Sequence, residues 1–257
     1  MSVKDEYYRR ASDEGYRARS AYKLRQMDDE VDLLEPDDVV VDLGAAPGGW
    51  VQVETERAGR VIGVDLRDVE EFDDDERGSE FEFVRGDITD DETRDEIAEK
   101  VGSADVVTSD ASPDLSGDWN LDHSRSVHLA RSALETAERV LAPGGDLLVK
   151  VFQGDTLDDF RDEVEGTFEH VRTLSPDASR DESSEVYILG RGYTDAPVEE
   201  GDVLTVEIED TGDEGDGIAR IDGYVLFVEE AEEGDEVRVE VNEVMSKYAF
   251  CERSDNA

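Results

Sequence analysis

The sequence predicts an α/β domain built on a doubly wound, largely parallel sheet, followed by a small, closed or partly open β-barrel. Three observations support this prediction. From residue 38, apolar strand-like runs alternate with helical patterns up to about residue 190. The pattern then changes at 190–197, and five short strand-like segments follow without a long helix. A glycine-rich strand-to-helix turn at 42–50 opens the alternating region.

The individual elements follow from these patterns. The strands of the first domain are predicted at 39–41, 61–64, 81–84, 104–108, 146–152, 168–171 and 186–189. Helices are predicted at about 49–58, 90–101, 123–141 and 156–166. We expect Ala142–Gly145 to stop the long helix and turn the chain into the next strand. The barrel strands are predicted at 203–208, 217–221, 224–228, 236–244 and 249–252, so the domains are expected at 1–192 and 197–257.

The charge balance is extreme, with 71 acidic and 26 basic side chains and a net charge of −45. Because the acids are spread along the whole chain and apolar strands persist between them, the composition indicates a folded protein of a salt-rich, halophilic cytoplasm. The single cysteine, Cys251, excludes an intrachain disulfide and a paired-cysteine zinc site. With no apolar run of membrane-spanning length and no signal-peptide pattern, we expect a cytoplasmic protein without a membrane partner. We also expect a monomer that holds no metal.

Residues 4–25 are the one region in which basic residues outnumber acidic ones. Tyrosines are interleaved with the arginines, so the segment is typical either of an amphipathic helix that docks on the core or of an RNA-contacting edge. We favour RNA contact because the rest of the chain is so acidic. The candidate contacts in this region are Arg9, Arg10, Arg17 and Arg19.

Acidic residues end four successive predicted strands, at Asp42, Asp65, Asp87 and Asp110. They are expected at the carboxyl edge of the sheet, where open α/β sheets bind ligands, and a carboxylate at the position of Asp65 can accept hydrogen bonds from a ribose diol. A run of acids is a poor match for an anionic dinucleotide. S-adenosylmethionine has a sulfonium and an amino group and no phosphate. The pattern therefore favours this nucleoside-bearing cation as the ligand.

A second set of charged residues is scattered in sequence but is expected at the same edge: Lys23, Asp110, Lys150 and Glu185. Lys150 lies between apolar residues of a predicted central strand, where a lysine is costly unless it is paired or functional. Desolvation and a second ammonium group nearby favour the neutral amine, which can act as a general base. Asp110 limits that effect and holds the orientation of the amine. An amine base beside a methyl donor suits deprotonation of a hydroxyl.

These motifs resemble the FtsJ/RrmJ family of RNA 2′-O-ribose methyltransferases, specifically its RlmE group. The likeness covers residues 1 to about 192 and rests on SAYKL at 20–24, DLGAAPGGW at 42–50, VDL at 64–66, GD at 86–87, SDASP at 109–113, LAPGG at 141–145, VKVFQG at 149–154 and SSEVY at 183–187. The resemblance implies a Rossmann-like, S-adenosylmethionine-dependent methyltransferase fold. It further implies that the substrate is a uridine 2′-hydroxyl in the 23S rRNA of the large ribosomal subunit.

The resemblance also implies roles for particular residues. Lys150 would accept the proton of the 2′-hydroxyl in a catalytic tetrad formed by Lys23, Asp110, Lys150 and Glu185. S-adenosylmethionine would be contacted by Gly48, Trp50, Asp65, Asp87 and Asp110.

The second domain, 197–257, resembles a TRAM domain, an OB-like RNA-binding barrel found on several RNA-modifying enzymes. The likeness rests on GDGIARIDGYVLFV at 215–228, GDEVRVEVNEV at 234–244 and KYAF at 247–250. This addition implies an archaeal version of the enzyme. Because most aromatic residues here are explained equally well by a barrel core, the candidate RNA contacts are Arg220 and Lys247 alone.

Three other functions are compatible with parts of this pattern. A methyltransferase acting on tRNA anticodon-loop riboses is an alternative, because the tetrad specifies the reaction better than the RNA. A non-catalytic RNA-binding ribosome-assembly factor is another, although the intact tetrad and glycine turn argue against it. A dinucleotide-dependent oxidoreductase is disfavoured because Gly44, Gly48 and Gly49 do not fit GxGxxG.

Overall fold

The computed structural model describes residues 11, 14–69, 79–179, 184–212, 215–221 and 224–254. Helices of the first domain are α1 (Ala21–Val31), α2 (Gly49–Arg57), α3 (Asp91–Val101), α4 (Trp119–Val140) and α5 (Leu157–Glu165). Its strands are β1 (Val39–Leu43), β2 (Arg60–Asp65), β3 (Glu80–Arg85), β4 (Ala104–Ser109), β5 (Leu141–Phe152), β6 (Phe168–Leu174) and β7 (Glu185–Tyr193).

The seven strands form one sheet in the order β3-β2-β1-β4-β5-β7-β6. Neighbours among β1 to β5 pair in parallel, whereas β7 is antiparallel to both β5 and β6. Valine and isoleucine runs suit the central strands because helices cover both faces of a parallel sheet. The predicted doubly wound α/β fold is confirmed.

The two faces of the sheet carry separate cores, because successive side chains of a strand point to opposite faces. On β5, Leu147 and Val149 pack on the face covered by α4. Leu148 packs on the other face, with Leu24 of α1 and Val51 of α2. Lys150 therefore lies on the same face as Leu148, under α1 and α2.

The junction between α4 and β5 differs from the sequence prediction. The structure shows no separate turn at Ala142–Gly145, because β5 begins directly at Leu141. The pairing with β4 shifts register between Ala104 and Val106, so the extra residues form an irregular start to the strand. Gly144 has φ of +89°, which glycine adopts at no steric cost. The glycine pair therefore shapes a bulged strand rather than a helix-ending turn.

The second domain is a curled sheet of six strands in the order β8-β12-β13-β11-β10-β9. The strands are β8 (Val203–Glu207), β9 (Asp210–Thr211), β10 (Gly217–Ile221), β11 (Tyr224–Val228), β12 (Glu236–Val244) and β13 (Tyr248–Arg253). Alternate residues such as Val239, Leu226 and Ala249 fill its interior. This sheet is consistent with the predicted small barrel.

Three aromatic residues of the barrel lie outside its core, which decides between the two interpretations that the sequence left open for them. Leu226 and Ala249 point inward, so the alternation along β11 and β13 turns Phe227, Tyr248 and Phe250 outward. Phe250 is 42 % exposed. The three rings contact each other, with centroids 5.4 to 5.8 Å apart.

The barrel contacts the first domain at the amino edge of its sheet. The Ser246 backbone N–H donates to the Glu169 carboxylate near the start of β6. The Lys247 side chain lies over Gly144, at the start of β5. Lys150 is six residues further along the same strand, roughly 20 Å away at about 3.3 Å per residue. The barrel thus docks at the edge opposite to the carboxyl ends of the strands.

No helix in the described ranges is long and apolar enough to cross a membrane. Within the same ranges, no group of three or more histidine, cysteine and acidic side chains is arranged to hold a metal ion.

Candidate active site

A chain of polar contacts joins the charged residues predicted for the site. Lys23 Nζ lies 2.6 Å from Glu185 Oε2 and donates to the Tyr187 hydroxyl at 3.1 Å. That hydroxyl donates to Asp110 Oδ1 at 2.9 Å. Lys150 Nζ lies 3.0 Å from the same Oδ1. The structure thus brings the four residues together through a fifth side chain that the sequence analysis missed.

Tyr187 could have been found from strand alternation. Glu185 and Tyr187 are two residues apart on β7, so both side chains point to the same face. Lys150 of β5 is the register partner of Tyr187. The available signal was a tyrosine on the same strand face as Glu185 and beside Lys150 of the neighbouring strand, both of which were predicted site residues.

The two ammonium groups and the two carboxylates in this series of polar contacts balance in charge, although most of the groups are buried. Lys23 is 4 % exposed and Lys150 is 5 % exposed. Burial acts to raise the pKa of Asp110, but the ammonium groups of Lys150 and Lys23 and the Tyr187 hydroxyl outweigh it and hold this pKa below its usual range. Asp110 is therefore an ionised acceptor, and buried ammonium groups are tolerable beside it because they are paired.

The Tyr187 hydroxyl stays protonated in this environment. Burial, together with the Asp110 and Glu185 carboxylates, raises its pKa well above the usual value for tyrosine. A protonated hydroxyl can accept from Lys23 and donate to Asp110 at the same time. Tyr187 therefore links Lys23 to Asp110 through two hydrogen bonds of fixed direction.

A cleft of about 760 Å³ lies beside Lys150 and Asp110. This size is typical of small-molecule sites. The glycine turn supplies one wall, through Gly44, Ala45, Ala46, Pro47, Gly49 and Trp50. The end of β2 and the loops after β2, β3 and β4 supply further lining, including Asp65, Leu66, Asp87, Ile88, Ala111 and Pro113, and α4 contributes Arg125, His128 and Leu129.

The glycine turn is closely packed against the loop after β4. Gly44 has φ of +82°, and a Cβ there would lie 2.7 Å from the Ala111 Cα. Only glycine fits this approach. Gly48, with φ of +106°, is the N-cap of α2 and is not among the described residues that line the cleft, whereas its neighbour Gly49 is.

Two strand-end acids line the cleft with their oxygens held in place. Asp65 Oδ2 accepts from the Ala46 backbone N–H at 3.0 Å. Asp65 Oδ1 accepts from the Arg67 backbone N–H at 2.8 Å. Asp87 Oδ1 accepts from the Thr89 backbone N–H at 2.9 Å. These bonds fix the carboxylates at the edge of the sheet, as the sequence predicted.

Asp42 differs from the other strand-end acids. It is fully buried and does not line the cleft, because β1 turns its side chain towards α2, on the same face as Val40. Glu54 of α2 is also fully buried, and its Oε1 accepts from the Thr108 hydroxyl at 2.7 Å. Among the described residues, no hydrogen-bond partner is present for either Asp42 oxygen or for Glu54 Oε2.

Burial changes the protonation of this acid pair. It raises the pKa of Glu54 to about 8. Burial and the charges of Glu54, Asp110 and Asp65 raise the pKa of Asp42 well above its usual value. Two acids in contact with an apolar interior are stable only when protonation removes charge. The sequence analysis did not identify Glu54 as a neighbour of Asp42. The available signal was an acidic residue, Glu54, among the apolar residues of α2.

Comparison with known proteins establishes the family. The family model described as FtsJ-like methyltransferase matches residues 16–193. The chain belongs to the FtsJ-like methyltransferase family. A TRAM domain model matches residues 197–252. Both family resemblances found in the sequence are thereby confirmed.

Curated relatives of this FtsJ-like chain share its full length. "Ribosomal RNA large subunit methyltransferase E" of Halobacterium salinarum is 55 % identical over 99 % of this chain and 98 % of its own length. The protein of the same name from Halorubrum lacusprofundi is 52 % identical over 99 % of this chain and 95 % of its own. A crystal structure of a ribosomal RNA methyltransferase from Plasmodium falciparum is 26 % identical, with a TM-score of 0.61, and the match covers 69 % of this chain and 98 % of that one.

In this FtsJ-like domain, Trp50 connects the cleft to the polar chain. The Trp50 ring is 2 % exposed, and its Nε1–H donates to the Ser20 carbonyl at 3.0 Å. The ring lies 5.8 Å from the Tyr187 ring. The segment before α1 therefore reaches the site through Ser20, and α1 itself through Lys23.

The candidate RNA contacts of the methyltransferase domain are only partly described. Arg9 and Arg10 lie outside the described residues. Arg17 packs over the glycine turn, with its side chain beside Gly48 and its backbone N–H donating to Gln52 Oε1 at 2.7 Å. Arg19 interacts electrostatically with Tyr187, which belongs to the series of polar contacts at the site.

The two candidates in the TRAM domain have different environments. Arg220 on β10 pairs with Glu209 at 3.0 Å, and both side chains are exposed. Lys247 is exposed, and its side chain packs over Gly144 at the contact between the domains.

Proposed function

We propose that this protein transfers a methyl group from S-adenosylmethionine to a uridine 2′-hydroxyl in the 23S rRNA of the large ribosomal subunit. The observation that carries the proposal is the continuous polar chain from Glu185 to Lys150, which ends at the cleft. The full-length relatives named as large-subunit rRNA methyltransferases support rRNA as the substrate class.

The lining of the cleft fits S-adenosylmethionine. Three carboxylates, of Asp65, Asp87 and Asp110, face a cleft whose opposite wall is the bare main chain of the glycine turn. Carboxylates suit a cationic ligand with a ribose diol, and they disfavour a pyrophosphate. The residues proposed to hold the cofactor are Gly48, Trp50, Asp65, Asp87 and Asp110. When bound, S-adenosylmethionine supplies an electrophilic methyl group on a positively charged sulfur.

Lys150 is the proposed proton acceptor. Its Nζ donates to the Asp110 carbonyl at 2.6 Å and lies 3.0 Å from the Asp110 carboxylate. In its neutral amine form, held by these two contacts, Lys150 would take the 2′-hydroxyl proton as the ribose oxygen is methylated. Lys23, Glu185 and Tyr187 hold Asp110 in position, and Lys23 adds positive charge near the developing alkoxide.

The barrel is proposed to bind the same RNA at a second place. The outward rings of Phe227, Tyr248 and Phe250 form a platform on which unpaired bases can stack, and stacking needs no excess of positive charge. Arg220 and Lys247 remain the proposed phosphate contacts.

We further propose that 1–192 and 197–257 fold as separate domains and that the protein acts as a monomer in the cytoplasm. Each domain has its own buried apolar cluster: Val41 and Leu147 belong to one in the first domain, and Leu226 and Val239 to the one in the barrel. A domain with its own core can in principle fold alone.

The decisive experiment is methylation by the purified protein of protein-free large-subunit rRNA and of bulk tRNA, with S-adenosylmethionine labelled in its methyl group. We expect label on rRNA, recovered after digestion as 2′-O-methyluridine. Label on tRNA alone would assign the enzyme to tRNA riboses. Binding of rRNA without any transfer would favour the assembly factor.

Mapping of ribose methylation in cells with and without the gene identifies the nucleotide. The signal lost from the rRNA of the deletion strain should return with the wild-type gene and not with a Lys150→Ala gene. Unchanged methylation in both strains would contradict the proposed substrate.

A further inference from the structure

Exposed apolar side chains are concentrated at the start of α4, beside the cleft. Among the described residues the large apolar side chains that are most exposed are Leu66, Leu115, Trp119, Leu121, Val203 and Phe250. Three of these six fall between 115 and 121, and Leu115 and Trp119 are 69 % and 57 % exposed. The segment is bracketed by residues that line the cleft, Asp114 on one side and Arg125 on the other.

Hydrogen bonds hold this segment in its exposed conformation. The buried Asp122 carboxylate accepts from the Ser116 backbone N–H at 2.8 Å, from the Ser116 hydroxyl at 2.7 Å and from the Gly117 backbone N–H at 3.1 Å. The Asp118 carboxylate caps α4 by accepting from Asn120 and Leu121. These hydrogen bonds therefore keep Leu115 and Trp119 exposed. A surface that is already ordered loses little conformational entropy when it binds a partner.

Arg125 adds a positive charge to this surface. Its guanidinium donates to the Asp114 carbonyl at 3.4 Å, and in the described part of the chain no carboxylate lies within the 4.0 Å of an ion pair. Arginines further along α4 are different: Arg131 pairs with Glu163, and Arg139 with Asp91 and Asp95. Arg125 interacts electrostatically with the buried Asp122 carboxylate but forms no ion pair with a described carboxylate. In a chain with a net charge of −45, such an arginine at the cleft is suited to an anionic partner.

We propose that Leu115, Trp119 and Arg125, here called the cleft shelf, bind the RNA strand next to the reacting nucleotide. Trp119 stacks on an unpaired base, Leu115 supports the apolar contact and Arg125 binds a phosphate. This inference rests on the proposed function, because it places the RNA beside the cleft. Bases stacked on aromatic rings and phosphates bound by arginine are the usual means of holding single-stranded RNA.

The chain offers a direct probe of the shelf, because it has two tryptophans and Trp50 is buried. The full-length protein is titrated with protein-free large-subunit rRNA in about 2 M KCl, where charge repulsion is screened. We expect the emission of Trp119 to be quenched and protected from acrylamide. The Trp119→Phe variant, which reports Trp50 alone, should show no such change. Unaltered acrylamide quenching in the wild type would overturn the proposal.

Kinetics provide the second test. Trp119→Ala should raise the KM for rRNA about tenfold, because base stacking on an aromatic side chain is lost. Its kcat at saturating RNA and its affinity for S-adenosylmethionine should remain those of the wild type. The matched control is Val203→Ala, which removes an exposed apolar side chain from the barrel edge and should leave the KM unchanged.

Two outcomes would contradict the shelf. One is a wild-type KM for Trp119→Ala. The other is a defect seen with assembled large subunits and not with protein-free rRNA, which would indicate a ribosomal protein as the partner. The fluorescence titration needs no turnover, so failure of the shelf is distinguishable from failure of the proposed reaction.

Discussion

Lys150 is joined to Asp110 at two points, the backbone carbonyl at 2.6 Å and the carboxylate at 3.0 Å. The carbonyl belongs to the loop that also packs against the glycine turn, through Ala111. The lysine is therefore fixed relative to the wall of the cleft and to the ionised acid at once. Such double attachment suits a group that acts on a substrate atom in one defined position.

Lys150→Ala should abolish methyl transfer to rRNA and leave cofactor binding nearly intact. The substitution removes the proposed proton acceptor, whereas the glycine turn, Asp65 and Asp87 remain. Single-turnover transfer and calorimetric titration with S-adenosylmethionine measure the two effects. Lys100→Ala is the matched control, since Lys100 pairs with Glu82 at the surface. Transfer by Lys150→Ala at close to the wild-type rate would contradict the role of Lys150.

Tyr187→Phe should reduce kcat about tenfold without changing the KM for RNA, because the variant loses one hydrogen bond to a charged carboxylate, worth about 1.5 kcal/mol. Without the hydroxyl, Asp110 loses one of the donors that hold its carboxylate beside Lys150. Tyr193→Phe is the control, because the Tyr193 hydroxyl donates to the Glu138 carbonyl instead. A kcat equal to that of the wild type would reduce Tyr187 to a packing role.

Glu54→Gln should stabilise the protein at pH 8 and have little effect near pH 4.5. The pKa of Glu54 is about 8 in the folded state, against 4.5 for an ordinary glutamate. Between these values the folded state binds more protons than the unfolded one, so wild-type stability falls as the pH rises through this window. The neutral amide avoids that loss, which is on the order of 4 kcal/mol at pH 8 for a shift of this size.

Denaturant unfolding at the two pH values tests the Glu54 prediction. Glu56→Gln is the control, because Glu56 lies on the same helix and is exposed. Equal pH dependence of the free energy of unfolding in wild type and Glu54→Gln would show that Glu54 does not carry the buried proton.

Deletion of residues 197–257 should raise the KM for rRNA and leave kcat nearly unchanged. The barrel contacts the sheet at Glu169 and Gly144, on the edge opposite to the cleft, so it binds RNA remote from the reacting ribose. Circular dichroism and thermal unfolding should show residues 1–192 still folded. An insoluble or unfolded fragment would contradict the proposed domain boundary, and an unchanged KM would contradict RNA binding by the barrel.

Much of the site could be predicted because its residues lie where strands end. Asp65, Asp87 and Asp110 follow buried strands, and parallel strands deliver their carboxyl ends to one edge. Lys150 was recognisable because a lysine is out of place in a central strand. Tyr187 was not recognised, since a tyrosine in an apolar strand is ordinary until its hydroxyl is seen between two charged groups.

The sequence by itself determined the order of strands and helices, the family and the residue types at the carboxyl edge, because periodicity and motif spacing are local properties. Tertiary structure alone decided which side of β1 Asp42 faces, and so separated it from the cleft and placed it where burial and the charge of Glu54 raise its pKa. It also decided that Phe227, Tyr248 and Phe250 of the barrel face outward and that the barrel docks at the amino edge. These outcomes depend on packing between segments distant in sequence, which no local pattern records.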